Sequence, residues 1–323
     1  MYKIGVVGAG HLGEIHIKIL QKAHFVHFVG FYDIDPIVRN KITHELGAKA
    51  FDSYQDLIDS CDIIDIVTPT LSHYKCAKQA LTSSKHIFIE KPVTHTLEEV
   101  KRLINLTNKS GLKAQVGHVE RFNPAFTEAS KKIKNPRFIE THRLAQFNSR
   151  GTDVSVVLDL MIHDLDIILH IVKQPIKSIN ASGVSVISNT PDIANARIEF
   201  INGCVANITS SRMSLKNIRR SRFFQKDTYV AVDFLNRKYE YISLQEVNKK
   251  EKYAPILSFG KDERKKVIVQ SDKNNEINPI EQELKSFINS IHSNANPIVD
   301  LKSAQSALQL AIDIAEQITM SQN

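Results

Sequence analysis

The sequence predicts an α/β protein in two parts: a doubly wound parallel sheet, then an α+β region with a mostly antiparallel, open sheet. Two observations indicate this. In residues 1–120, short apolar runs alternate with amphipathic segments, as in parallel strands joined by right-handed helical crossovers. After about Pro124, long strand-like runs follow one another. We therefore expect one domain over residues 1–120 and a second over 121–323, with C-terminal helices able to pack back on the first.

The elements of the first part follow from their hydrophobic periodicity. Its strand-like runs are YKIGVVG, FVHFVGFYD, CDIIDIVT, HIFIE and KAQVG. Helices are predicted between them, at His11–Ala23, Pro36–Leu46, Ser72–Leu81 and Leu97–Asn108.

The second part is predicted to be rich in strands. Its runs are RFIETHRLAQF, IKSINASGVSVI, ANARIEFI, GCVANITSSR, RRSRFFQ, TYVAVDF and KYEYISL. Asn202-Gly203 is a hairpin signal between two of them. One helix is predicted at Ser155–Val172, and two more, Ile280–His292 and Leu301–Ile318, end the sequence.

Composition favours a cytoplasmic protein over a membrane or secreted one. Of 323 residues, 42% are hydrophobic and 24% charged, and no run approaches the roughly 18 apolar residues that a membrane span needs. No signal-like segment precedes the first strand-like run. The cysteines are odd in number and scattered, which indicates a reducing compartment and no metal site: Cys61, Cys76 and Cys204.

The net charge of +7 arises partly from two basic clusters. The first includes Arg212, Lys216, Arg219, Arg220, Arg222 and Lys226. It is compatible with either an anionic ligand or a salt-bridged sheet face. The second, Lys249–Lys252 with Lys261–Lys266, is diluted by acids and reads as a solvated face. No zinc-finger or RNA-binding signature accompanies them, so nucleic acid is not an expected partner.

The stretch VVGAGHLGEIH predicts a dinucleotide-binding turn. Gly8 allows the tight turn, Gly10 the approach of the pyrophosphate, and Gly13 close packing of the helix on the strand. A pyrophosphate is favoured at a helix N-terminus by free N–H groups and the macrodipole. The first part is therefore expected to be a Rossmann domain.

An acid after the second strand supports this interpretation. Asp33 lies 20 residues after Gly13 and ends a strand-like run, where its carboxylate would accept hydrogen bonds from ribose hydroxyls. Asp35 adds negative charge near the position of a 2′-phosphate. We therefore expect NAD, with NADP less favoured.

Four further stretches lie in a fixed order after the glycine turn: VTPTLSH, IEKPVTHT, VGHVERFNPA and LDLMIHDLD. Together they make the whole chain resemble the Gfo/Idh/MocA family of NAD(P)-dependent sugar and polyol oxidoreductases. The later run DIANARIEFINGCVANITSSR is also similar to members of that family that oxidise UDP-N-acetylglucosamine at C3.

The resemblance implies that Lys91, Asp159 and His163 are catalytic, and their chemistry agrees. Oxidation of a secondary alcohol needs a base, and His163 has a suitable ordinary pKa. Asp159, four residues earlier on the same helix face, can orient it. Lys91 can stabilise a developing alkoxide. Each residue also has a purely structural alternative. Lys91 would then be a solvated turn residue, and His163 a helix histidine with internal partners. Asp159 and Asp166 would be charges on an exposed face.

The expected binding residues fall into two sets. Cofactor-binding residues are Gly8, Gly10, His11, Leu12, Gly13, Asp33, Thr68, Pro69, His73, Glu90 and Lys91. Substrate-binding residues are Lys91, Arg121, Asn123, Asp159 and His163. Arg121 is equally compatible with pinning the domain junction, and His73 with capping or packing. For their side chains, His11 and His16 are expected to be ordinary helix residues without a role in the site.

The leading hypothesis is an NAD-dependent dehydrogenase of a ring hydroxyl in a sugar, in particular a nucleotide sugar. One alternative is the same chemistry on a free sugar or inositol. Another is a non-catalytic, NAD-binding sensor, although a sensor need not retain all three catalytic residues. An open sheet often needs its face covered, so we expect a homodimer or homotetramer.

Overall fold

A computed structural model describes residues 1–147, 154–246, 256–258, 264–274 and 276–322. The chain divides into two compact units. The first comprises Met1–Val119 with Asn278–Gln309, and the second comprises Glu120–Ile277 with Leu310–Asn323. The basic stretch at residues 249–252 and residues 261–263 of the one at 261–266 lie outside the described residues.

In its described part the first unit is built on one five-stranded sheet, and every paired neighbour is parallel. The strands are β1 (Lys3–Val7), β2 (His27–Tyr32), β3 (Ile63–Ile66), β4 (His86–Glu90) and β5 (Ala114–Gly117), in the order β2-β1-β3-β4-β5. The helices are α1 (His11–Lys22), α2 (Pro36–Leu46), α3 (Tyr54–Ser60), α4 (Thr70–Thr82), α5 (Leu97–Ser110) and α8 (Pro279–His292). This is the predicted doubly wound sheet.

Apolar strands and capped helices explain these elements. Every residue of β3 and β5 is buried, as expected for parallel strands covered on both faces. Helix α5 begins with a capping box, in which Thr96 and Glu99 each bond the other's backbone N–H. From α8, Leu284 and Phe287 join the core formed by α1 and the first strands.

The second unit is built on a sheet of nine described strands. They are β6 (Phe138–Leu144), β7 (Ile176–Val184), β8 (Ile193–Phe200), β9 (Val205–Ser211), β10 (Ile218–Gln225), β11 (Thr228–Asp233), β12 (Lys238–Glu246), β13 (Ile256–Ser258) and β14 (Arg264–Lys273). Their order is β13-β14-β12-β11-β10-β6-β9-β8-β7, and the pairing is antiparallel except between β6 and β9.

Short helices accompany this sheet. They are a 3₁₀ turn at Val119–Phe122, α6 (Pro124–Ser130), a π-helical segment at Val157–Met161, and α7 (Ile162–Val172), which continues that segment. The last helix, α9 (Leu301–Gln322), contributes to both units. None of the helices in the described ranges is long and apolar enough to cross a membrane.

The predicted fold class is confirmed, but several elements were missed. The sequence reading placed no helix at α3 or α6, which have seven residues each and are too short to show two turns of periodicity. It also placed no strands at β13 and β14, because the many charges around β14 (RKKVIVQSDK) suggested a solvated face. The single predicted helix at Ser155–Val172 is a π-helical segment followed by an α-helix.

A buried ion-pair network fixes α7 to the sheet of the second unit. Arg143 on β6 donates from Nε and Nη2 to the Asp164 carboxylate at 2.7 and 3.2 Å, and from Nη1 to Glu120 at 3.0 Å. All three side chains are at most 7% exposed. The two carboxylates hold the pKa of Arg143 above its ordinary value although burial opposes this. The network therefore sets where α7 lies on the strand layer.

Replacing Arg143 tests how much this network stabilises the second unit. Arg143→Met leaves the Asp164 and Glu120 carboxylates buried without their main counter-ion. We expect the free energy of unfolding to fall by about 3–5 kcal/mol. Urea unfolding followed by circular dichroism measures the change.

Arg222→Met is the matched control, because Arg222 pairs with Glu140 on an accessible part of the same sheet. Partly exposed pairs contribute less than about 1 kcal/mol, so this variant should unfold near the wild-type midpoint. Equal losses in the two variants would show that the buried network has no special role.

Candidate active site

The glycine loop joins β1 to α1 and has the geometry of an anion-binding turn. Gly8 has φ of +90°, and an added Cβ there would lie 2.7 Å from the carbonyl O of Val67. An added Cβ at Gly13 would collide with the carbonyl O of Gly8. At Gly10 an added Cβ meets no described heavy atom within 4 Å. Gly10 is also the N-cap and has no side chain to bond the first N–H groups of α1, so these remain available to a phosphate.

His11 and Leu12 form the first turn of α1, directly after this loop, and both are exposed. Their position is compatible with the expected cofactor contact, which stays a prediction.

Asp33 holds the glycine loop from the end of β2. Its Oδ2 accepts the backbone N–H of Ala9 at 2.7 Å, and its Oδ1 accepts that of Asp35 at 2.9 Å. Asp35 in turn caps α2 by accepting the N–H of Ile37. Arg39 donates to the carbonyl O of Asp33 at 2.7 Å, so a cation also lies beside these acids. The loop, the helix terminus and the carboxylate together fit a dinucleotide bound across the end of this sheet.

His73 joins the segments that follow β3 and β4. It is buried in α4, with Nδ1 2.8 Å from the carbonyl O of Pro92 and Nε2 2.8 Å from that of Thr68. Burial lowers the pKa of His73. Pro69 is the N-cap residue of α4. These contacts match the capping and packing alternative for His73, and its contact with a cofactor stays a prediction.

Lys91 follows β4 and lies next to a second buried histidine site. Lys91 is half-buried, and its peptide bond to Pro92 is cis. Its backbone N–H donates to Glu90 Oε2 at 3.1 Å. The other oxygen of Glu90 lies 3.4 Å from His16 Nε2, and His16 Nδ1 lies 2.8 Å from Asp65 Oδ2.

The charges of this cluster follow from its burial. His16 and Asp65 are fully buried and Glu90 is 8% exposed. Burial alone would lower the pKa of His16, but the carboxylates of Asp65 and Glu90 raise it to about 10. Burial also opposes ionisation of Glu90, yet His16 and the Lys91 N–H hold its pKa below the ordinary value. The two carboxylates therefore favour the imidazolium form near neutral pH, and His16, expected to be an ordinary helix residue, is part of a buried ion-pair cluster.

The polar residues of the LDLMIHDLD stretch divide into two pairs. Asp159, in the π-helical segment, and His163, in the first turn of α7, are both half-buried. Asp164 and Asp166 are 1% exposed and face inward to arginines. The exposed-charge alternative is therefore wrong for Asp166, whereas Asp159 and His163 are each partly exposed.

Arg121 and Asn123 make internal contacts. Arg121 donates to both carboxylate oxygens of Asp166, at 2.6 and 2.8 Å, and is 9% exposed. Asn123 caps α6 and donates to Glu120 and to the carbonyl O of Phe234. These bonds explain both residues as supports within the second unit. Their contact with substrate stays a prediction without geometric support.

The arginines of the first basic cluster differ in their contacts. Arg220 pairs with Glu240 and Arg222 with Glu140 on one face of the sheet, which is the salt-bridged arrangement considered above. Arg212 is buried and donates to the carbonyl O of Val154. Arg219 points to the opposite face of β10 from its neighbour Arg220, lies 3.8 Å from Glu120, and its side chain is half exposed.

Sequence reasoning missed His16, Asp65 and the Arg143 network. Polar residues within otherwise apolar segments could have indicated two of them. Asp65 interrupts the apolar run of β3, and a buried carboxylate needs a partner. His16 lies beside Ile17 and one turn before Leu20, on the helix face that packs on the sheet. Among the residues that the structure describes, no three His, Cys, Asp or Glu side chains are grouped to hold a metal ion.

Comparison with known proteins agrees with this architecture. Residues 2–118 match the family model "Oxidoreductase family, NAD-binding Rossmann fold". Residues 126–224 match the "GFO/IDH/MocA C-terminal domain".

Individual relatives extend the likeness across the chain. The UDP-N-acetylglucosamine 3-dehydrogenase of Acidithiobacillus ferrooxidans is 36% identical over 235 residues, which cover 72% of this chain and 74% of that protein. Its solved structure has a TM-score of 0.87 at 29% identity and covers 98% of this chain and 97% of that one. The NAD(+)-dependent scyllo-inositol 2-dehydrogenase of Bacillus subtilis is 30% identical over 233 residues, which cover 66% of this chain and 68% of that protein.

A solved scyllo-inositol dehydrogenase from Lactobacillus casei, with bound NAD(H) and scyllo-inositol, shares the fold at a TM-score of 0.79 and 19% identity over 99% of this chain and 98% of that one. Family models cover both parts of the chain, and the relatives are dehydrogenases. The chain therefore belongs to the Gfo/Idh/MocA family and is a dehydrogenase that acts on hydroxyl groups with an NAD-binding Rossmann domain.

Proposed function

We propose that this protein is an NAD-dependent dehydrogenase that oxidises a secondary ring hydroxyl of a nucleotide sugar, of the type of UDP-N-acetylglucosamine oxidised at C3. The observation that carries the proposal is the 36% identity with a UDP-N-acetylglucosamine 3-dehydrogenase, which extends over 72% of the chain and so beyond the cofactor domain. Asp159, His163 and Lys91, which are each partly exposed, are the side chains that we assign to the chemistry.

The proposed reaction uses each of these side chains in one role. His163 takes the proton of the substrate hydroxyl as general base, and Asp159 orients and charge-balances its ring. Lys91 donates a hydrogen bond to the same oxygen and stabilises the negative charge that develops there. When bound, the nicotinamide is the hydride acceptor. Glu90 precedes Lys91 and accepts its backbone N–H, and Asp164 follows His163 and pairs with Arg143. These contacts hold the two proposed catalytic groups in place.

Arg219 is our candidate for the nucleotide end of the substrate. It lies on the face of β10 where Glu120 and Arg143 connect the sheet to α7, the helix of His163. A guanidinium matches phosphate oxygens in geometry as well as charge. Arg222, on the opposite face, is paired with Glu140 and serves as its control.

A free sugar or inositol is the second candidate substrate. The 30% identity with a scyllo-inositol 2-dehydrogenase over 66% of this chain favours it. A non-catalytic sensor is less supported, because Lys91, Asp159 and His163 are all present. A cytoplasmic homodimer or homotetramer stays our prediction for the assembly.

The first prediction concerns the choice of cofactor. Asp33→Ala removes an ionised acceptor, which typically contributes about 1.5–3 kcal/mol, so NAD should bind roughly 10- to 100-fold more weakly. The wild type should bind NAD more tightly than NADP, and the variant should discriminate less. Isothermal calorimetry measures both affinities.

Asp59→Asn, at an exposed acid on α3, is the control and should leave both affinities unchanged. If wild-type protein bound NADP as well as NAD, the ribose role proposed for Asp33 would be wrong.

The second prediction separates chemistry from binding. Lys91→Ala and His163→Ala should each lower kcat by about 10²–10⁴-fold, since each removes a group that acts on the reacting oxygen. Their NAD affinities should stay within about twofold of wild type, because neither change removes the ribose acceptor or the glycine loop. Steady-state kinetics and NAD titration measure these quantities.

Exposed residues of the same types provide controls: Lys75→Ala on α4 and His44→Ala on α2 should keep wild-type turnover. Near-normal kcat in the Lys91 or His163 variant would remove that residue from the mechanism.

The third prediction concerns the substrate. UDP-N-acetylglucosamine should reduce NAD, whereas free N-acetylglucosamine and myo-inositol should give little product. Arg219→Gln should raise KM for the nucleotide sugar by roughly tenfold with kcat nearly unchanged, since a charge-assisted bond to a non-reacting phosphate acts on binding. Arg222→Gln should leave both constants unchanged.

Because a 3-keto sugar is reactive, the ketone is trapped with hydroxylamine and identified by mass spectrometry. Activity on inositol and none on a UDP-sugar in this trapped assay would reject the nucleotide-sugar proposal and retain the family-level one.

A further inference from the structure

The cluster of His16, Asp65 and Glu90 lies where three elements of the first unit meet. His16 comes from α1, the helix that follows the glycine loop, Asp65 from the middle of β3, and Glu90 from the end of β4. These three side chains are at most 11% exposed. The chain therefore brings three titratable side chains into its interior close to Lys91, and burial raises the pKa of Asp65 although His16 opposes this.

Stability does not explain this choice of residues. Apolar side chains of similar volume at a buried ion-pair site are often neutral or stabilising, because they avoid the cost of removing charges from water. The rest of β3 is isoleucine, so an apolar residue at position 65 would continue the existing core. The cluster must therefore have a role other than stabilising the fold.

Glu90 has a close neighbour at each carboxylate oxygen and on the adjacent strand. One oxygen faces the His16 imidazolium at 3.4 Å, and the other accepts the Lys91 N–H at 3.1 Å. On the neighbouring strand, Gly117 pairs with Glu90, and a Cβ at Gly117 would lie 2.6 Å from its carboxylate. The side chain thus fits only because residue 117 lacks a Cβ, and its two oxygens have separate partners.

We propose that His16 is a positioning residue: held by Asp65, it anchors the Glu90 carboxylate, which fixes the Lys91 backbone and so the origin of the Lys91 side chain. The same contact joins Lys91 to α1, the helix that supports the glycine loop. This inference rests on the proposed function for the role of Lys91, but the anchoring of its backbone is measurable without any substrate.

The test removes the anchor while preserving the core. In His16→Leu/Asp65→Ile, two apolar residues replace the ion pair, and Glu90 loses its imidazolium. Amide hydrogen exchange, measured by NMR, should speed up by roughly tenfold or more at Lys91, because its acceptor is no longer fixed. Core amides of β1 and β5 should exchange as in wild type.

The kinetic consequence is a split between kcat and KM. A small displacement of a catalytic group costs up to about 10²-fold, so kcat should fall roughly 10- to 100-fold while KM and NAD affinity stay within about threefold. A merely structural cluster would not produce this split in a variant of unchanged stability. Glu14→Gln/Lys18→Gln, which removes an exposed ion pair from the same helix, is the control and should change neither exchange nor kcat.

A second variant covers the case in which the double variant does not fold. Asp65→Asn keeps the shape of the site and removes one charge.

In the part of the chain that the structure describes, the titratable groups facing His16 are Asp65 from β3 and Glu90 from β4. Because the pKa of wild-type His16 is raised to about 10, its ring stays protonated until the pH approaches that value. The stability that the imidazolium adds is present in full below the ordinary pKa of histidine and is lost as pH rises through about 10.

In Asp65→Asn the imidazole ¹⁵N shifts should therefore titrate at lower pH, with faster Lys91 exchange above the new midpoint. Unchanged Lys91 exchange in the folded variants would overturn the proposal, as would faster exchange with unchanged kcat in an enzyme that needs Lys91. Full activity in Lys91→Ala would instead reject the mechanism proposed above, and the exchange result would still decide whether His16 anchors the backbone.

Discussion

The burial of carboxylates next to the candidate catalytic side chains is the constraint on which the rest of this structure depends. In the first unit, Glu90 is buried beside Lys91 and faces the His16 imidazolium. In the second, Asp164 is buried beside His163 and binds the Arg143 guanidinium. Lys91 and His163 thus each have a sequence neighbour whose charge is balanced inside the fold. A buried carboxylate without its cation is strongly unfavourable, so each cation fixes the backbone that it pairs with.

The two anchors differ in strength and in what they hold. Arg143 binds Asp164 through two nitrogens and Glu120 through a third, an arrangement with defined orientation. His16 has a 2.8 Å contact with Asp65 and a longer one, 3.4 Å, with Glu90. The helix α7 is therefore fixed rigidly on its sheet, whereas the position of Lys91 depends on a weaker contact. Changes near His16 should act on catalysis before they act on folding.

Features that depend on local sequence were the most predictable. The glycine turn, the acid at the end of β2 and the alternation of strands and helices each need only a few neighbouring residues, and all were recognised. Elements with weak local signals were not. Helices α3 and α6 have seven residues each, and β14 carries charges that suggested a solvated surface. Its alternation becomes meaningful only when it pairs with β12 along nine residues.

The sequence by itself determined the fold class, the family and the residue types available for chemistry, because these follow from periodicity and from short motifs such as GAGHLG and EKP. Only the tertiary structure decided which charges are internal. Asp159, His163 and Asp166 recur at helical spacing, four and three residues apart, so spacing alone does not separate the internal pair, Asp164 and Asp166, from Asp159 and His163. Their separation depends on Arg143 and Arg121, which lie 21 and 45 residues away in the chain and meet α7 only after the second unit has folded. Whether a polar side chain serves as support or stays accessible to a ligand is therefore a property of long-range packing.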